Sequence, residues 1–342
     1  MAVVPDPTNV AVGDFNGDGR LDLATTSNSS PVVGLLLGRG DGTFNEVSSV
    51  AAGEAGSYVL SADLDGDGHL DLATSNEDGT ATVMWGKGDG TFSTPASYPV
   101  KGGLDQGDAT WIAAADLNGD GALDLALAVS LVSATDLSAP GQVAVLLNRG
   151  SRSFAKPVFY PDRAAIAVAA GDFDGDGKVD IATADSDGTV RVFRGEGKGR
   201  LAPATSNTID GQGVSIAVGD FNGDNVMDIA TGNDRSFTLS ILMGRGHGTF
   251  AKSLGLEAGN THTVAIVDMN HDGHVDVIAG GFDETFVRLY GGRGDGTFLN
   301  QQKIDARPSL VRGVAAGDFN GDGKMDLAVA DGALSIQVLI GV

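Results

Sequence analysis

The chain has 342 residues, 42% of them hydrophobic, with 52 glycines, 10 prolines, no cysteine and a formal net charge of −23. That apolar fraction supports a packed core, and abundant glycine without a strict triplet period points to many tight turns rather than to collagen or disorder. The absence of cysteine excludes disulfides, thiolate metal sites and a cysteine nucleophile. The acidity disfavours nucleic acid and anionic membrane surfaces as partners, and no apolar run is long enough for membrane insertion.

The first unit sets the pattern for the chain. A short strand is expected over Asn9–Gly13, followed by the loop Asp14-Phe15-Asn16-Gly17-Asp18-Gly19-Arg20-Leu21-Asp22. A second strand overlaps its end at Leu21–Thr25, a third covers Val32–Leu37, and the landmark Gly38-Arg39-Gly40-Asp41-Gly42-Thr43-Phe44 leads into a fourth. The Asp loop recurs at 63–71, 116–124, 172–180, 220–228, 268–276 and 318–326, with starts 49, 53, 56, 48, 48 and 50 residues apart. The landmark recurs about 25 residues after each loop start, degraded at Gly195–Leu201 and absent from the seventh unit.

Each run is short, apolar or β-branched and bounded by Gly, Asp or Asn, and none sustains a helical period. Four strands repeating at blade length predict an all-β fold, a seven-bladed β-propeller of four-stranded blades. It forms one domain over 1–342, with blades starting near 8, 57, 110, 166, 214, 262 and 312. Ala2-Val3-Val4-Pro5-Asp6 parallels Val158-Phe159-Tyr160-Pro161-Asp162 of the third unit. The N-terminal strand, residues 1–7, is therefore expected to complete the last blade and leave no free sheet edge.

The Asp loops offer side-chain oxygens at positions 1, 3 and 5, a carbonyl at 7 and a carboxylate at 9, a hard-donor set suited to Ca²⁺. The first set is Asp14, Asn16, Asp18, the Arg20 carbonyl and Asp22; the second is Asp63, Asp65, Asp67, the His69 carbonyl and Asp71. The third is Asp116, Asn118, Asp120, the Ala122 carbonyl and Asp124; the fourth is Asp172, Asp174, Asp176, the Lys178 carbonyl and Asp180. Asp220, Asn222, Asp224, the Val226 carbonyl and Asp228 form the fifth, and Asp268, Asn270, Asp272, the His274 carbonyl and Asp276 the sixth. Asp318, Asn320, Asp322, the Lys324 carbonyl and Asp326 complete the series. The fifth loop has Asn225 at the position-6 glycine, and the sixth has His271 at position 4.

These loops hold 23 of the 45 acidic residues; the other 22 equal the 22 Lys and Arg, so the whole net charge sits in the loops. Packed carboxylates repel unless neutralised, so about seven structural Ca²⁺ are expected. Extracellular calcium sites are commonly weak, so an extracellular or cell-surface location is expected. The N-terminus itself, Met1-Ala2-Val3-Val4-Pro5, shows neither region of an export signal.

The loop-plus-landmark units resemble FG-GAP/VCBS repeats, the repeat type of integrin α-chain propellers and many bacterial surface proteins. The resemblance covers nearly the whole chain and implies a seven-bladed propeller with Ca²⁺ between the first two strands of each blade. It further implies a binding module for a glycan or protein; some relatives serve in polysaccharide degradation. No nucleophile elbow, phosphate-binding loop or HExxH motif is present, so no enzyme activity is expected. A polysaccharide lyase or hydrolase, and a purely structural unit of a larger adhesin, are the alternatives.

Strand parity puts the Asp loops on one face and the 2–3 and 4–1 connections on the other. The two longest insertions, Lys101–Thr110 and Val129–Gln142, fall on the second face. Four residues before each loop lie Val10, Val59, Ile112, Val168, Ile216, Val264 and Val314, which suggest inter-blade core; three before lie mostly alanines, expected to line the channel. Five before lie Asn9, Tyr58, Trp111, Ala167, Ser215, Thr263 and Gly313, expected to ring the channel mouth. Tyr58, Trp111, Asn9 and the Asp105–Asp108 loop are the candidate ligand rim, since aromatic faces with carboxylates and amides suit sugars or peptides. Trp85 suggests core; Arg39-Gly40-Asp41 and Arg293-Gly294-Asp295 are repeat consensus rather than an adhesion tripeptide. A monomer is expected.

Overall fold

The computed structural model describes residues 4–45, 48–53, 55–102, 107–130, 140–281, 284–306, 310–331 and 335–341. Among the described residues, six four-stranded antiparallel sheets and a seventh of three strands follow one another in simple meander order, with a two-stranded ribbon, Gly195–Gly197 and Arg200–Leu201, inserted in the fourth. Their first strands are Pro7–Gly13, Gly56–Ala62, Asp108–Ala115, Ala165–Gly171, Gln212–Gly219, Thr261–Val267 and Gly313–Gly317. These are the innermost strands, and each packs beside the next around a ring. The ring closes where Gly42 of the first blade donates to the Phe319 carbonyl of the seventh at 3.0 Å.

The second strands are buried along their full length in six blades and in the fifth up to its last residue, Asp234. A strand inside a sheet and between two neighbouring blades has both faces covered, which explains runs such as Leu125–Val129 without polar alternation. The fourth strands are the outermost and carry more exposed residues, as at Ser48–Ala51 and Leu254–Glu257.

Each aliphatic residue four before an Asp loop packs into the seam with the preceding blade. Val59 sits with Phe15 and Ala24, Val168 with Ala126 and Ala128, and Val10 with Phe319 and Ala328. The alanines three before each loop turn the opposite way, towards the next blade, where Ala11 meets Val59 and Ala169 meets Ile216. They therefore belong to the seams more than to a channel lining: an inner strand presents its edge to the axis and its side chains to its neighbours. Their small size lets the first strands approach.

Residues 4–7 belong to the first blade. Pro7 pairs with Ser27, the Pro5 carbonyl accepts from Ser27 Oγ, and Val4 lies against Gly34. The clasp expected of residues 1–7 thus rests on Met1–Val3, outside the described residues.

Candidate functional site

Two places in the fold concentrate chemistry, one on each face. On the first, the Asp loops are nearly superposable in their bonding. The position-1 carboxylate caps the turn: Asp14 Oδ1 accepts from Gly17 N at 2.7 Å and Oδ2 from Gly19 N at 2.8 Å, and Asp116, Asp172 and Asp318 repeat both bonds. Positions 4 and 6 are left-handed. Asn225 and His271, at φ 64° and 58°, adopt the conformation that glycine takes in the other copies, so both irregular loops keep the same path.

The position-9 carboxylates are the hubs. Asp22, Asp71, Asp124, Asp180, Asp228, Asp276 and Asp326 are at most 1% exposed. In each, Oδ2 accepts from the position-2 amide, and Oδ1 from the first amide of the landmark or, at Asp326, from Gly341 N, as at Asp228 with Phe221 N (2.9 Å) and Gly244 N (2.6 Å). Burial, reinforced by neighbouring loop carboxylates, pushes Asp71, Asp124, Asp180 and Asp228 up to about 6 and raises Asp22 and Asp276.

The position-2 side chain latches onto the landmark of the next blade. Phe15 meets Phe92, Phe173 meets Phe250, Phe221 meets Phe298 and Phe319 meets Phe44, with ring centroids 5.7–6.0 Å apart. A landmark amide of the later blade donates to the position-2 carbonyl of the earlier one, as from Gly90 to Phe15 and Gly296 to Phe221, both 3.0 Å. The aspartates of the two Arg-Gly-Asp tripeptides are used locally, Asp41 accepting from Thr43 N and Asp295 from Thr297 N at 2.9 Å.

The donor set fits a hard divalent cation. Carboxylate oxygens of Asp63, Asp65 and Asp71 lie within 4.8 Å of one another, as do those of Asp172, Asp174 and Asp176. Because positions 1 and 9 already accept backbone amides, a cation would share their remaining lone pairs.

The opposite face holds a cavity of about 340 Å³ at the axis. Sequence parity does not predict its lining, because the first strands of blades one to six each carry a β-bulge near their start. The bulge adds one residue and resets the alternation. The residues six before each loop reach the mouth: Thr8, Ser57, Thr110, Ile166, Val214 and His262 from bulged strands, and Arg312 from just before the unbulged seventh first strand. Ala167, Ser215 and Thr263, expected there, are buried. Asn9, Tyr58 and Trp111 do line the mouth, so this part of the candidate rim is brought together; Asp105 lies outside the described residues.

Tyr58 and Trp111 stack across the seam of blades two and three, with ring centroids 4.1 Å apart. Burial pushes the Tyr58 phenol up to about 12, with the nearby Asn9 amide opposing. Thr8 and Thr110 hydroxyls cross to the next blade, to the Gly56 and Ile166 carbonyls at 3.0 and 2.6 Å. Glu77 adds a carboxyl raised by burial and by Asp108; Asp108 is itself raised by burial, against Lys101. Across the mouth, burial lowers His262 to about 4, with Asp234 opposing and Arg312 assisting. The mouth thus carries the aromatic pair and Glu77 on one side and a neutral His262 beside Arg312 on the other. Trp85, as expected, is core, stacked on Phe154.

The FG-GAP-like repeat matches residues 14–74, 63–127, 131–183, 172–231 and 268–329. The chain belongs to the FG-GAP repeat family. No curated protein matches it. Among solved structures, an Agrocybe aegerita lectin, described for its specific recognition of non-reducing terminal N-acetylglucosamine, is 19% identical over 95% of this chain and 86% of its own, with TM-score 0.59. BBS1N in complex with ARL6DN is similar in two structures. The lead-soaked one is 14% identical over 99% of this chain and 93% of its own, at TM-score 0.66. The mercury-soaked one is 15% identical over 100% and 93%, at 0.64. At these identities this FG-GAP propeller shares their fold alone.

Proposed function

We propose that this FG-GAP propeller is a calcium-stabilised binding module, extracellular or at the cell surface, which takes a glycan or protein ligand at the channel mouth opposite the Asp loops. The observation that carries the reading is the bulge ring. Seam positions repeat from blade to blade, but the seven side chains at the mouth, six from first strands and Arg312 from just before the seventh, do not. Packing demands uniformity at the seams and makes no such demand at the mouth, so a heterogeneous mouth beside a stacked Tyr58–Trp111 pair suits recognition. The similar lectin fold supports the glycan option.

Calcium, held by the seven loop sets, supplies the positive charge that neutralises clustered carboxylates. The loops' own residues then tie blade to blade through the position-9 hub and the position-2 latch. Binding and stabilisation therefore occupy opposite faces.

A glycan array and pull-down, run with calcium and with chelator, tests the reading. Ligands found for wild type should be lost by Trp111→Ala in calcium; retention of every ligand would refute the mouth as the site. A hydrolytic reading would use Glu77 beside Asp108. Turnover of an acidic polysaccharide, abolished by Glu77→Gln, would replace the binding reading.

A further inference from the structure

The third landmark departs from the pattern where the others are uniform. It reads Asn148-Arg149-Gly150-Ser151-Arg152-Ser153-Phe154, with Arg152 at the place held by Gly42, Gly90, Gly248 and Gly296 in other blades. Ser151 and Arg152 adopt φ of 52° and 60°, a left-handed conformation that costs a non-glycine residue. In the other blades named, that glycine amide bonds the preceding blade's position-2 carbonyl. Here the task passes to the side chain of Asn148, whose Nδ2 donates to the Leu64 carbonyl at 2.6 Å and to the Leu123 carbonyl at 2.9 Å.

The substitution places a guanidinium over the second Asp loop. Arg152 Nε donates to Asp65 Oδ2 at 2.6 Å, and an Nη to Asp67 Oδ2 at 2.9 Å. The other oxygens of these carboxylates are already engaged, Asp65 Oδ1 by Asp67 N and Asp67 Oδ1 by His69 N. Arg152 therefore holds the second oxygen of each carboxylate, and a cation at this loop would share the amide-bonded oxygens or contend with the guanidinium for the others. The Asp65 side chain is only 6% exposed and the arginine 46%, so the fork reaches from solvent into a nearly closed carboxylate. Among the described residues, the other loop cations are weaker or local: Arg20 and Lys178 lie within their own loops, and Arg194 reaches Asp174 only at 3.8 Å.

We propose that Arg152 is a built-in counter-ion of the second loop, lent by the third blade, which competes with a divalent cation for Asp65 and Asp67. The inference rests on the calcium reading of the loops. It gives the seam between blades two and three a cross-blade counter-ion when calcium is withdrawn, and makes the second loop's ion contend with a side chain for its carboxylates. A left-handed arginine in place of glycine is otherwise a cost without return.

Terbium is a suitable probe because Trp85 adjoins Gly86, whose amide lies on the Asp71 hub of that loop. Indole-sensitised terbium emission therefore reports the second loop; Trp111 lies mid-strand, five residues or roughly 16 Å before the third loop. Arg152→Gly restores the glycine of the other blades and removes the left-handed strain, so it should fold. Its emission should titrate at roughly three- to tenfold lower terbium than wild type, the range for two solvent-facing ion pairs. Calcium should displace the signal with the same ratio. In chelator Arg152→Gly should melt below wild type, and in saturating calcium at or above it. Equal titrations, or an equal melting shift in both conditions, would overturn the inference and leave a plain seam ion pair. No terbium emission and no chelator effect in either protein would instead refute the calcium reading beneath it.

Discussion

Asp228 offers a test of the position-9 hub. Its carboxylate is fully buried, and its two oxygens accept Phe221 N at 2.9 Å and Gly244 N at 2.6 Å. Asp228→Asn keeps the shape but supplies one acceptor and one amide donor. Whichever way the amide turns, its NH₂ meets one of the two N–H groups. One charge-assisted bond is lost and one buried donor is left unmet, about 2–4 kcal/mol together. The latch should loosen with it, because Phe221 leads into the ring contact with Phe298 at 5.7 Å. Thermal unfolding in chelator isolates this effect from any ion. The control is Asp224→Asn: Asp224 is exposed and accepts Val226 N at 2.8 Å, so this change should cost no more than about 0.5 kcal/mol in chelator. Asp228→Asn melting within a degree of Asp224→Asn in chelator would refute the hub.

Chelation of wild type should lower the melting temperature, since a site filled at about 100 times its Kd contributes roughly 2.7 kcal/mol; an unchanged melt would contradict structural calcium. Arg191 is shared by Asp162, Asp185 and Asp187, and Asp185 is fully buried. Arg191→Met should cost about 3–5 kcal/mol at neutral pH by denaturant titration. Burial, and for Asp185 also Asp162, raises both the Asp162 and Asp185 carboxyls, so the deficit should shrink as pH falls and they protonate; a deficit constant with pH would count against it. His262 is depressed to about 4 by burial, so the unfolded chain takes its proton first, and the stability that the neutral ring contributes above about 6.5 is lost as pH falls towards 4. Wild type and His262→Gln should therefore diverge across that window, and parallel stability curves would exclude the effect.

The repeats themselves determined the blade count, the strand order and the seam residues. An Asp loop every 48–56 residues fixes seven units, and Val10, Val59 and their equivalents must be apolar because blades stack on both sides. Local chemistry likewise determined the loop path, since glycine or a tolerant substitute at positions 4 and 6 suffices to turn it. The mouth was only partly legible. Tyr58 and Trp111 stood out as aromatics, but Thr8, Thr110 and His262 did not, because a β-bulge leaves no periodic trace and shifts every residue before it to the other side. Arg152 was hidden for a different reason: in sequence it is a defect in a consensus, 87 residues from Asp65, and only the closing of blade three onto blade two brings the guanidinium and the carboxylate together. Strand periodicity is a local property of the chain, whereas a bulge's direction and a cross-blade ion pair exist only once the blades are packed around the axis.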